Sequence, residues 1–536
     1  MVEASCKYRI NLNPYIFKGI IVTDTIKLVE QPVGSGKTYQ LINHVITTGG
    51  LVIYCAPTKN LVKQIHADIG SRINEEGIKL ELYQVTGEEK GFNNTVADRL
   101  EELILDAEAN SVIVCTIEGF ERVGATVLKQ ATEKMAKTVS IIIDELPNLF
   151  ASYNKSFSRQ TIEIIRPLIE VAPDGITYVL DSTLDEAVRK NLFSDEVERL
   201  LALAHGQTVR VEKVSDDKWL FFGYEIKENL NSLIRAADSV YILAATIKDT
   251  LDYIVLKDVW GFKLESCLEL NGQINENKVD GKTGNIRVYP LLDDGFSRGK
   301  ATDNYKPLTP TYKSCLSEMI DNSISFIGDK YALMIGNLWS NELIKYHLKG
   351  ISNIELLPPN VKGLNDYKDS HICCAIYSSK PNGYIRNSLN LMKDIHGLES
   401  NLVSAYTLQA ELDMIVQMCG RTSIRDRDST EMNHFLVADE EQANHVIKTY
   451  VGDTGLYSSL IDKSLMVNWS KYTSTKMGKP ISEGRLEKAQ EIADYIEDMK
   501  ANGIKVKLKD AAATFNIKYS STLNRMFKDI DYCYKS

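Results

Sequence analysis

The sequence lacks the features that would place the protein in a membrane or outside the cell. Its longest apolar runs are short, such as Ile141-Ile142-Ile143, whereas a membrane-spanning helix needs roughly 20 apolar residues. The first residues do not follow the basic, then apolar, then small-residue order of a signal peptide. We therefore expect a protein of the cytoplasm, or of the host cytoplasm if the chain is viral, that does not bind membranes.

Cysteine pairs of the metal-binding type are also missing. The sequence has nine cysteines but no C-x-x-C pair, and Cys373 and Cys374 are adjacent. No spacing matches a zinc or iron–sulfur site. Several of these cysteines lie inside apolar runs, which is typical of buried structural thiols.

An excess of positive charge is absent as well. The 536 residues include 62 Lys and Arg against 72 Asp and Glu, a formal net charge of −10. This balance argues against a surface coated with basic residues for nucleic acid, but a basic groove remains compatible with it, because the local field decides binding. The length predicts about three domains, and the composition, 44% hydrophobic and 25% charged, is that of a globular protein.

A repeating unit organises the first half of the chain: a short apolar run, a small or polar turn and a helical pattern. In LVIYCAPTKNLVKQIHADI, a predicted strand at Leu51 to Cys55 precedes Leu61, Ile65 and Ile69 at helical spacing. The same unit begins in SVIVCTIEGF, VSIIIDELPNLF, TYVLDSTLDEAV and SVYILAATIKD. Such runs predict a parallel sheet covered on both faces, with ligands at the carboxyl ends of its strands.

A second set of apolar runs indicates a second α/β domain: KYALMIGN, SNIELL, HICCAIYSS and MNHFLVAD. The predicted fold is two parallel-sheet α/β domains in tandem plus a small C-terminal α-helical domain. We predict the first domain at residues 1–285 with an insertion at about 150–237. The second domain is predicted at 286–455, a linker at 456–480 and the helical tail at 481–536.

A phosphate-binding loop is predicted in EQPVGSGKTYQLINHV, residues 30–45. The backbone N–H groups of Gly34, Ser35 and Gly36 can point inward because these residues are small. Lys37 would reach the β- and γ-phosphates, Thr38 would place its hydroxyl on Mg²⁺, and the following helix would direct its positive end at the anion. The first glycine of the G-x-x-x-x-G-K-[ST] pattern is replaced by Gln31. The alternative is a small polar surface turn.

A pair of carboxylates follows a β-branched run in IIIDELPNLF. Asp144 is placed to hold hydrated Mg²⁺, and Glu145 to orient or deprotonate the attacking water. The alternative is an acidic pair that caps the next helix. It is less favoured because Gly-Ser-Gly-Lys-Thr lies upstream.

Two arginines in QMCGRTSIRDRD are candidates for binding the transferring phosphoryl group. Arg421 and Arg425 lie four residues apart and would share a face if the segment is helical. A guanidinium from a second domain would complete the site only when the cleft closes. The alternative is an exposed basic helix paired with Asp426 and Asp428.

Taken in order, these segments resemble the superfamily 2 helicases over most of residues 29–427. GSGKT resembles motif I, APTKNLVKQ motif Ia, CTIEGF the following DNA-contact motif, DELP motif II, GLNDY motif V and QMCGRTSIR motif VI. AATI, residues 244–247, stands where motif III is expected, and Ser182-Thr183 is the alternative. The motifs are diverged, their layout is most similar to that of the DinG-like and XPD-like branch, and a phage or plasmid origin would suit this divergence. That branch commonly carries an iron–sulfur cluster between motifs I and II, where this chain has only Cys55 and Cys115, so no cluster is expected.

The resemblance implies two RecA-like domains, with ATP and Mg²⁺ in the cleft and a single nucleic-acid strand across their tops. It assigns catalytic roles to Lys37, Asp144, Glu145, Gln417, Arg421 and Arg425, with either Arg425 or Arg427 as the second functional arginine. It adds Gly363 and Asp366 to the nucleotide site. The nucleic-acid contacts that it implies are Thr58, Thr116, Gly119, Thr246 and Asn365. Without the resemblance, helix capping explains Thr58 and Thr116 equally well.

The tail segment LKDAAATFNIKYSSTLNRMF predicts a helix-turn-helix. Leu523 and Phe527 would face inward, and Lys518 and Arg525 would face DNA. The alternative is a small helical bundle packed on the rest of the protein.

The predicted function is an ATP-dependent DNA helicase or translocase that acts on single-stranded or forked DNA in replication or repair, with replication proteins as partners. Three alternatives remain: an RNA helicase, an origin-binding or loading ATPase, and a P-loop ATPase that remodels protein.

Overall fold

The structure, a computed structural model, describes part of the chain. The described residues are 24–31, 35–87, 95–108, 110–135, 138–172, 175–179, 194–215, 218–270, 285–301, 314–359, 367–425, 429–452, 457–473, 483–501, 506–515, 517, 523 and 527.

Within these residues the strands are, in chain order, β1 Thr25–Glu30, β2 Gly50–Ala56, β3 Glu81–Val85, β4 Asn110–Thr116, β5 Val139–Asp144, β6 Phe150–Ser158, β7 Ile169–Val171, β8 Thr177–Val179, β9 Val209–Ser215, β10 Lys218–Ile226, β11 Ser239–Ala244, β12 Lys263–Ser266, β13 Ile286–Leu292, β14 Ala332–Gly336, β15 Ile354–Leu357, β16 Ile372–Ile376 and β17 Asn433–Asp439.

The α-helices are α1 Lys37–Thr48, α2 Lys59–Glu76, α3 Val96–Asp106, α4 Ile117–Phe120, α5 Ala125–Met135, α6 Arg159–Ile165, α7 Asp195–His205, α8 Glu228–Ala236, α9 Leu251–Ile254, α10 Arg298–Ala301, α11 Cys315–Ile327, α12 Asn341–His347, α13 Gly383–His396, α14 Leu402–Thr407, α15 Asp413–Cys419, α16 Glu440–Val451, α17 Tyr457–Leu460, α18 Ser470–Thr473, α19 Glu483–Ala501 and α20 Leu508–Thr514. Two π-helical segments occur at Val255–Val259 and Leu408–Leu412, and 3₁₀ turns at Arg166–Leu168 and Ser423–Arg425.

The first α/β domain is built on a parallel seven-stranded sheet in the order β12-β1-β11-β5-β2-β4-β3. Because successive side chains of a strand point to opposite faces, Ile53 and Ile141 enter one apolar cluster, and Val52 and Ile142 enter another. Both faces are covered by helices, which explains why these strands are continuously apolar in sequence. The predicted parallel sheet is confirmed.

A separate substructure lies between β5 and β11. Strands β6, β10 and β9 form an antiparallel sheet, and α6 and α7 pack on it around a small core that includes Phe157, Ile165, Leu200 and Phe221. The prediction that TYVLDST continues the parallel sheet is wrong, because β8 pairs with β7 in an antiparallel ribbon. A three-residue strand is too short to reveal its partner from sequence.

The second α/β domain has a parallel five-stranded sheet in the order β13-β17-β16-β14-β15. Strands β14 and β16 are again buried along their whole length, and β17 is buried at all positions except His434. Beyond β17, Ile461 and Val467 form parallel bridges to β13. This part of the expected linker is therefore packed on the second sheet.

Helices α13 and α14, which follow β16 of the second sheet, pack in the core of the first domain. Leu389, Met392 and Leu402 are buried in the same cluster as Leu149 and Tyr224 of the first domain. The two α/β domains are therefore joined by apolar packing in addition to the chain connections.

Residues 1–467 and residues 468–536 are two compact units by their internal contacts, and the second unit has its own core. Its core contains Ala489, Ile492 and Ile496 of α19, Ala511 and Ala512 of α20, and the buried side chains of Leu523 and Phe527. None of the helices in the described part of the chain is both long enough and apolar enough to cross a bilayer.

Candidate nucleotide site between the two α/β domains

The turn after β1 is shaped for an anion. Gly36 has a φ of 84°, a left-handed conformation that glycine adopts without strain, and α1 begins at the next residue with no side-chain cap. The first N–H groups of an uncapped helix need acceptors and carry the positive end of its dipole. No acidic residue occupies the first turn of α1 to compete with a bound anion.

Two side chains of this turn complete the anion-binding set. The ammonium of Lys37 donates a hydrogen bond to the carbonyl of Gln31, at the carboxyl end of β1. Ser35 Oγ is buried and has no hydrogen-bond partner among the described residues. A buried hydroxyl without a partner costs free energy, so a ligand with several oxygen acceptors fits this turn.

Asp144 and Glu145, at the carboxyl end of β5, lie near the turn that precedes α1. Asp144 is 8% exposed, and its Oδ2 accepts a hydrogen bond of 2.9 Å from the hydroxyl of Tyr54 on the neighbouring strand β2. The Thr38 side chain lies beside the Tyr54 hydroxyl. Burial, followed by the charge of Asp144, raises the pKa of Tyr54 well above its ordinary value, so the phenol stays protonated and acts as a donor to Asp144.

Glu145 is held in an unusual backbone conformation. Its φ is 86°, which is rare and unfavourable for a residue with a Cβ. Its N–H donates a 2.7 Å hydrogen bond to the carbonyl of Leu243 on β11, which fixes the turn. Strain of this kind persists where the surrounding contacts determine it, and it concentrates at functional sites.

The second domain contributes two side chains to the site. Gln417 lies on α15, where its Nε2 donates to Asp413 Oδ2 at 2.9 Å, and Arg421 follows the end of this helix with 5% exposure. Both line a cavity of about 580 Å³ that is also lined by Ser35, Gly36, Lys37, Thr38, Asp144 and Glu145. Residues from distant parts of the sequence thus meet around one cavity.

The arginine segment is not one continuous helix. Helix α15 ends at Cys419, Gly420 and Arg421 form a turn, and Ser423–Arg425 is a 3₁₀ turn. The condition under which Arg421 and Arg425 would share a helical face is therefore not met, because the helix ends before either arginine. The Arg425 side chain lies outside the described part of the structure.

Contacts to two strands fix the turn that carries Arg421. Ser423 N–H donates to the Ser370 carbonyl at 2.9 Å, and Ser423 Oγ donates to Asn433 Oδ1 at 3.0 Å. His371 Nδ1 lies 2.6 Å from Ser423 Oγ. These residues carry no motif of their own, so only the tertiary structure identifies them as supports of Arg421.

The loop after β11 is tied to the phosphate-binding turn. Glu30, at the end of β1, accepts hydrogen bonds from the N–H groups of Ile247 and Lys248 at 2.6 and 3.0 Å. Thr246 is half-buried in this loop. The alternative candidate for this motif, Ser182-Thr183, lies outside the described residues.

The nucleic-acid candidates of the first domain lie at the carboxyl ends of β2 and β4. Thr58 and Thr116 cap α2 and α4, where their hydroxyl oxygens accept from Leu61 N–H at 3.3 Å and Gly119 N–H at 3.2 Å. A hydroxyl that accepts in this way keeps its O–H to donate. Gly119 is buried, and a Cβ there would lie 2.9 Å from a Val96 methyl group, so packing alone requires glycine at this position.

Several predicted residues lie outside the described part of the structure: Gly34 of the phosphate-binding turn, Gly363, Asn365 and Asp366 of the fifth motif, and Lys518 and Arg525 of the tail. Tyr54 is a site residue that the sequence analysis missed. A tyrosine inside a fully buried strand requires a polar partner for its hydroxyl, and this was the available signal.

Comparison with known proteins gives one family match. Residues 16–191 match the model of the DEAD/DEAH box helicase family, and no curated protein matches the whole sequence significantly. Among solved structures, the chain is similar to Xpd4 of S. tokodaii, with 12% identity, a TM-score of 0.41, and coverage of 83% of this chain and 95% of that one.

Two further structures are similar at the same level of identity. Dbp5 of S. cerevisiae, bound to RNA and ADP BeF3, has 12% identity and a TM-score of 0.34 over 84% of this chain and 87% of that one. The DUF1998 helicase MrfA bound to DNA has 12% identity and a TM-score of 0.30, over 77% and 47%. Residues 16–191 of this chain are thus similar to the DEAD/DEAH box helicase family.

Proposed function

We propose that the protein is a nucleic-acid-stimulated ATP hydrolase that couples hydrolysis to movement along single-stranded nucleic acid. DNA is the proposed strand, and replication or repair in the cytoplasm is the proposed setting. One observation carries this proposal: Gln417 and Arg421 of the second domain line the same cavity as Lys37 and Glu145 of the first. A site completed by two domains makes hydrolysis sensitive to their relative position.

In the proposed roles, Lys37 and the N–H groups at the start of α1 hold the phosphates, and Ser35 donates its hydroxyl to them. Thr38 and Asp144 hold Mg²⁺ through oxygen ligands, which this ion prefers together with several waters. When bound, Mg²⁺ neutralises charge on the phosphate oxygens. Tyr54 keeps one oxygen of Asp144 occupied and thereby orients the carboxylate.

Glu145 is the proposed residue for orienting or deprotonating the attacking water. Gln417 supports this role, because its Oε1 is buried without a hydrogen-bond partner among the described residues and can accept from a water in the cavity. Arg421 stabilises the charge that spreads over the transferring phosphoryl group. Such an arginine contributes ~10³–10⁵ to the rate in related chemistry. Arg425 remains a second candidate for this role, as Gly363 and Asp366 remain candidates for nucleotide contact.

The strand is proposed to cross the carboxyl ends of β2 and β4, with the hydroxyl groups of Thr58 and Thr116 donating to phosphate oxygens. Such contacts position a strand without reading its sequence. The loop that carries Thr246 is bonded to Glu30 beside the phosphate-binding turn, which supports the role of this loop in coupling the nucleotide to the strand. Asn365 is proposed as a contact from the second domain.

The ATPase proposal is tested with two variants of the full chain. We expect Lys37→Ala to abolish nucleotide binding, because the charge on the phosphates loses its main partner. We expect Glu145→Gln to bind ATP but to lower the hydrolysis rate at least about 100-fold, the range of a lost general base. Steady-state phosphate release and equilibrium nucleotide binding measure the two effects, and normal turnover by Glu145→Gln would contradict the role of Glu145.

The nucleic-acid proposal is tested with the wild-type protein. Phosphate release is measured without nucleic acid, with single-stranded DNA and with single-stranded RNA of the same sequence. Stimulation by DNA supports the proposal, and stimulation by RNA alone favours the RNA helicase. Absence of stimulation favours a P-loop ATPase that remodels protein or loads other factors. Strand displacement on forked, 5′-tailed and 3′-tailed duplexes then gives the polarity.

A further inference from the structure

The loop that carries Glu145 is held by a buried carboxylate from outside the known motifs. Asn148, three residues after Glu145, also has a positive φ, of 53°, so this loop contains two unusual backbone conformations. Asp252 of α9 is fully buried and accepts hydrogen bonds from the N–H groups of Asn148 and Leu149 at 2.7 and 2.9 Å. Asp252 therefore fixes the far end of the loop, while Leu243 fixes Glu145 itself.

A residue of the second domain joins this arrangement. Gln409 Oε1 accepts the N–H of Asp252 at 2.8 Å, and Gln409 Nε2 donates to Asn148 Oδ1 at 3.2 Å. The oxygen and the nitrogen of one side-chain amide thus bind Asp252 and Asn148, the two residues whose hydrogen bond holds the loop. The network also fixes the orientation of the amide, because the reverse orientation would face its NH₂ toward a backbone N–H.

Gln409 lies where the cores of the two domains meet. It belongs to the π-helical segment Leu408–Leu412, which follows α14 and precedes α15. Leu402 and Ala405 of α14 pack in the core of the first domain, whereas Ile415 and Val416 of α15 pack in the core of the second. A single π-helical turn inside a longer helix is rare and occurs often at functional sites.

The π-helical segment is anchored to the second domain through its own polar network. Glu411 is fully buried and accepts hydrogen bonds from Ser379 N–H at 2.7 Å, Ser378 Oγ at 2.9 Å and Gln442 Nε2 at 2.9 Å. Three donors to one buried carboxylate hold the segment firmly in place. A shift of the second domain therefore moves Gln409 relative to Asp252 and Asn148.

We propose that Gln409 is a positioning residue that transmits the placement of the second domain to the loop carrying Glu145. The inference rests on the proposed ATPase function and adds a route by which domain closure controls hydrolysis. In this route, the Gln409 amide keeps the Asn148 turn in its observed conformation when the domains are together, and Glu145 is then held for the attacking water. When Gln409 moves away, Asp252 and Asn148 lose their hydrogen bonds to its amide.

The test uses Gln409→Met in the full chain, which keeps the length of the side chain but removes both hydrogen bonds. We expect kcat for ATP hydrolysis to fall about tenfold, which corresponds to the loss of one or two hydrogen bonds in the transition state, with KM for ATP changed less than about twofold. A role limited to stability would lower the melting temperature and leave kcat per folded molecule unchanged. Unchanged kcat in Gln409→Met overturns the inference.

The matched control is Tyr224→Phe. The Tyr224 hydroxyl forms another contact between the domains, 2.9 Å from His396 Nε2, without touching the Glu145 loop. We expect its kcat to stay at the wild-type value, and an equal fall in both variants would overturn the specific role of Gln409.

A double-mutant cycle combines Gln409→Met with Asn148→Gly, in which glycine tolerates the positive φ. The two effects on kcat should be less than multiplicative, and independent effects would also overturn the inference. Wild-type protein without ATPase activity would overturn the proposed function and this inference together, whereas an active wild type with a fully active Gln409→Met overturns the inference alone.

Discussion

Tyr54 occupies the middle of the apolar run LVIYCA, yet its hydroxyl is the group that orients Asp144. The residue is fully buried, and a buried phenol without a partner would lose about 1–3 kcal/mol. The pair therefore serves two purposes: Asp144 satisfies the tyrosine, and the tyrosine restricts the carboxylate that is proposed to hold Mg²⁺. Residues that orient metal ligands typically affect metal affinity strongly.

We predict that Tyr54→Phe raises the Mg²⁺ concentration for half-maximal ATPase activity about tenfold, because Asp144 loses its orienting donor. Titration of ATPase activity with Mg²⁺ at saturating ATP measures this shift. Tyr241→Phe is the control: Tyr241 is buried in the same apolar cluster, but its hydroxyl bonds to Lys27 and not to Asp144. Equal Mg²⁺ dependence in Tyr54→Phe and wild type would rule out the orienting role.

At the scale of single residues, the sequence predicted those parts of the site that form local patterns. Lys37 and Thr38 follow glycines at fixed spacing, and Asp144 and Glu145 end a β-branched run, so each is recognisable within about ten residues. Tyr54 and Gln409 are not, since their partners lie 90 and 157 positions away. Only the pairing of strands and the packing of domains brings such residues together.

At the scale of elements, Thr58 at the start of α2 has one observed role and one proposed role. Thr58 caps the helix by accepting from Leu61 N–H, which by itself explains the threonine. The same position lies at the carboxyl end of β2, where the proposed strand of nucleic acid crosses. A negative charge at this position separates the two roles. A carboxylate caps a helix well, but it repels the phosphate groups of a nucleic-acid strand.

We predict that Thr58→Asp keeps the melting temperature of the wild type but lowers affinity for single-stranded DNA about tenfold, through repulsion of the phosphate backbone. Thermal unfolding and fluorescence anisotropy with labelled DNA measure the two properties. Ser158→Asp, at the N-cap of α6, adds the same charge away from the proposed path and should leave affinity unchanged. If Thr58→Asp binds DNA normally, Thr58 is a helix cap alone.

The apolar strands of the two parallel sheets were predictable at this scale, whereas the nine-residue antiparallel strands β6 and β10 and the partners of short elements were not. The runs that became β2, β5, β11 and β14 are continuously apolar because helices cover both faces of their sheets. In contrast, β8 has three residues and pairs outside the parallel sheet. The π-helical segment at Leu408–Leu412 has no sequence pattern that distinguishes it from the α-helix around it.

At the scale of the whole molecule, the two α/β domains share an apolar core through α13 and α14. The ring of Tyr406 packs against Phe150 with centroids 6.4 Å apart, and Phe150 stacks on Tyr224 at 6.3 Å. The sequence could not reveal this association, because the apolar face of α13 looks like that of any amphipathic helix. Relative movement of the domains must therefore preserve this packing and be absorbed at the ends of α13 and α14, beside Gln409.

The last prediction concerns the unit at residues 468–536, which has its own core. If this unit is the helix-turn-helix predicted from the sequence and binds DNA, a chain that ends at residue 473 should keep the single-stranded DNA-stimulated kcat within about twofold and bind duplex DNA about tenfold more weakly. It should also show a shallower dependence of affinity on salt, because fewer phosphates are contacted. Phosphate release and anisotropy at several salt concentrations measure these effects.

Two variants of the full chain complete this test. Phe527→Ala, which removes a buried side chain of the unit's core, should weaken duplex binding as the deletion does. Lys518→Ala with Arg525→Ala should do the same without lowering the melting temperature, because the lost interaction is with phosphate and not with the core. Unchanged duplex affinity in the truncated chain would contradict the docking role and favour a small helical bundle, since a unit whose only purpose is packing contributes nothing to the salt-dependent part of binding.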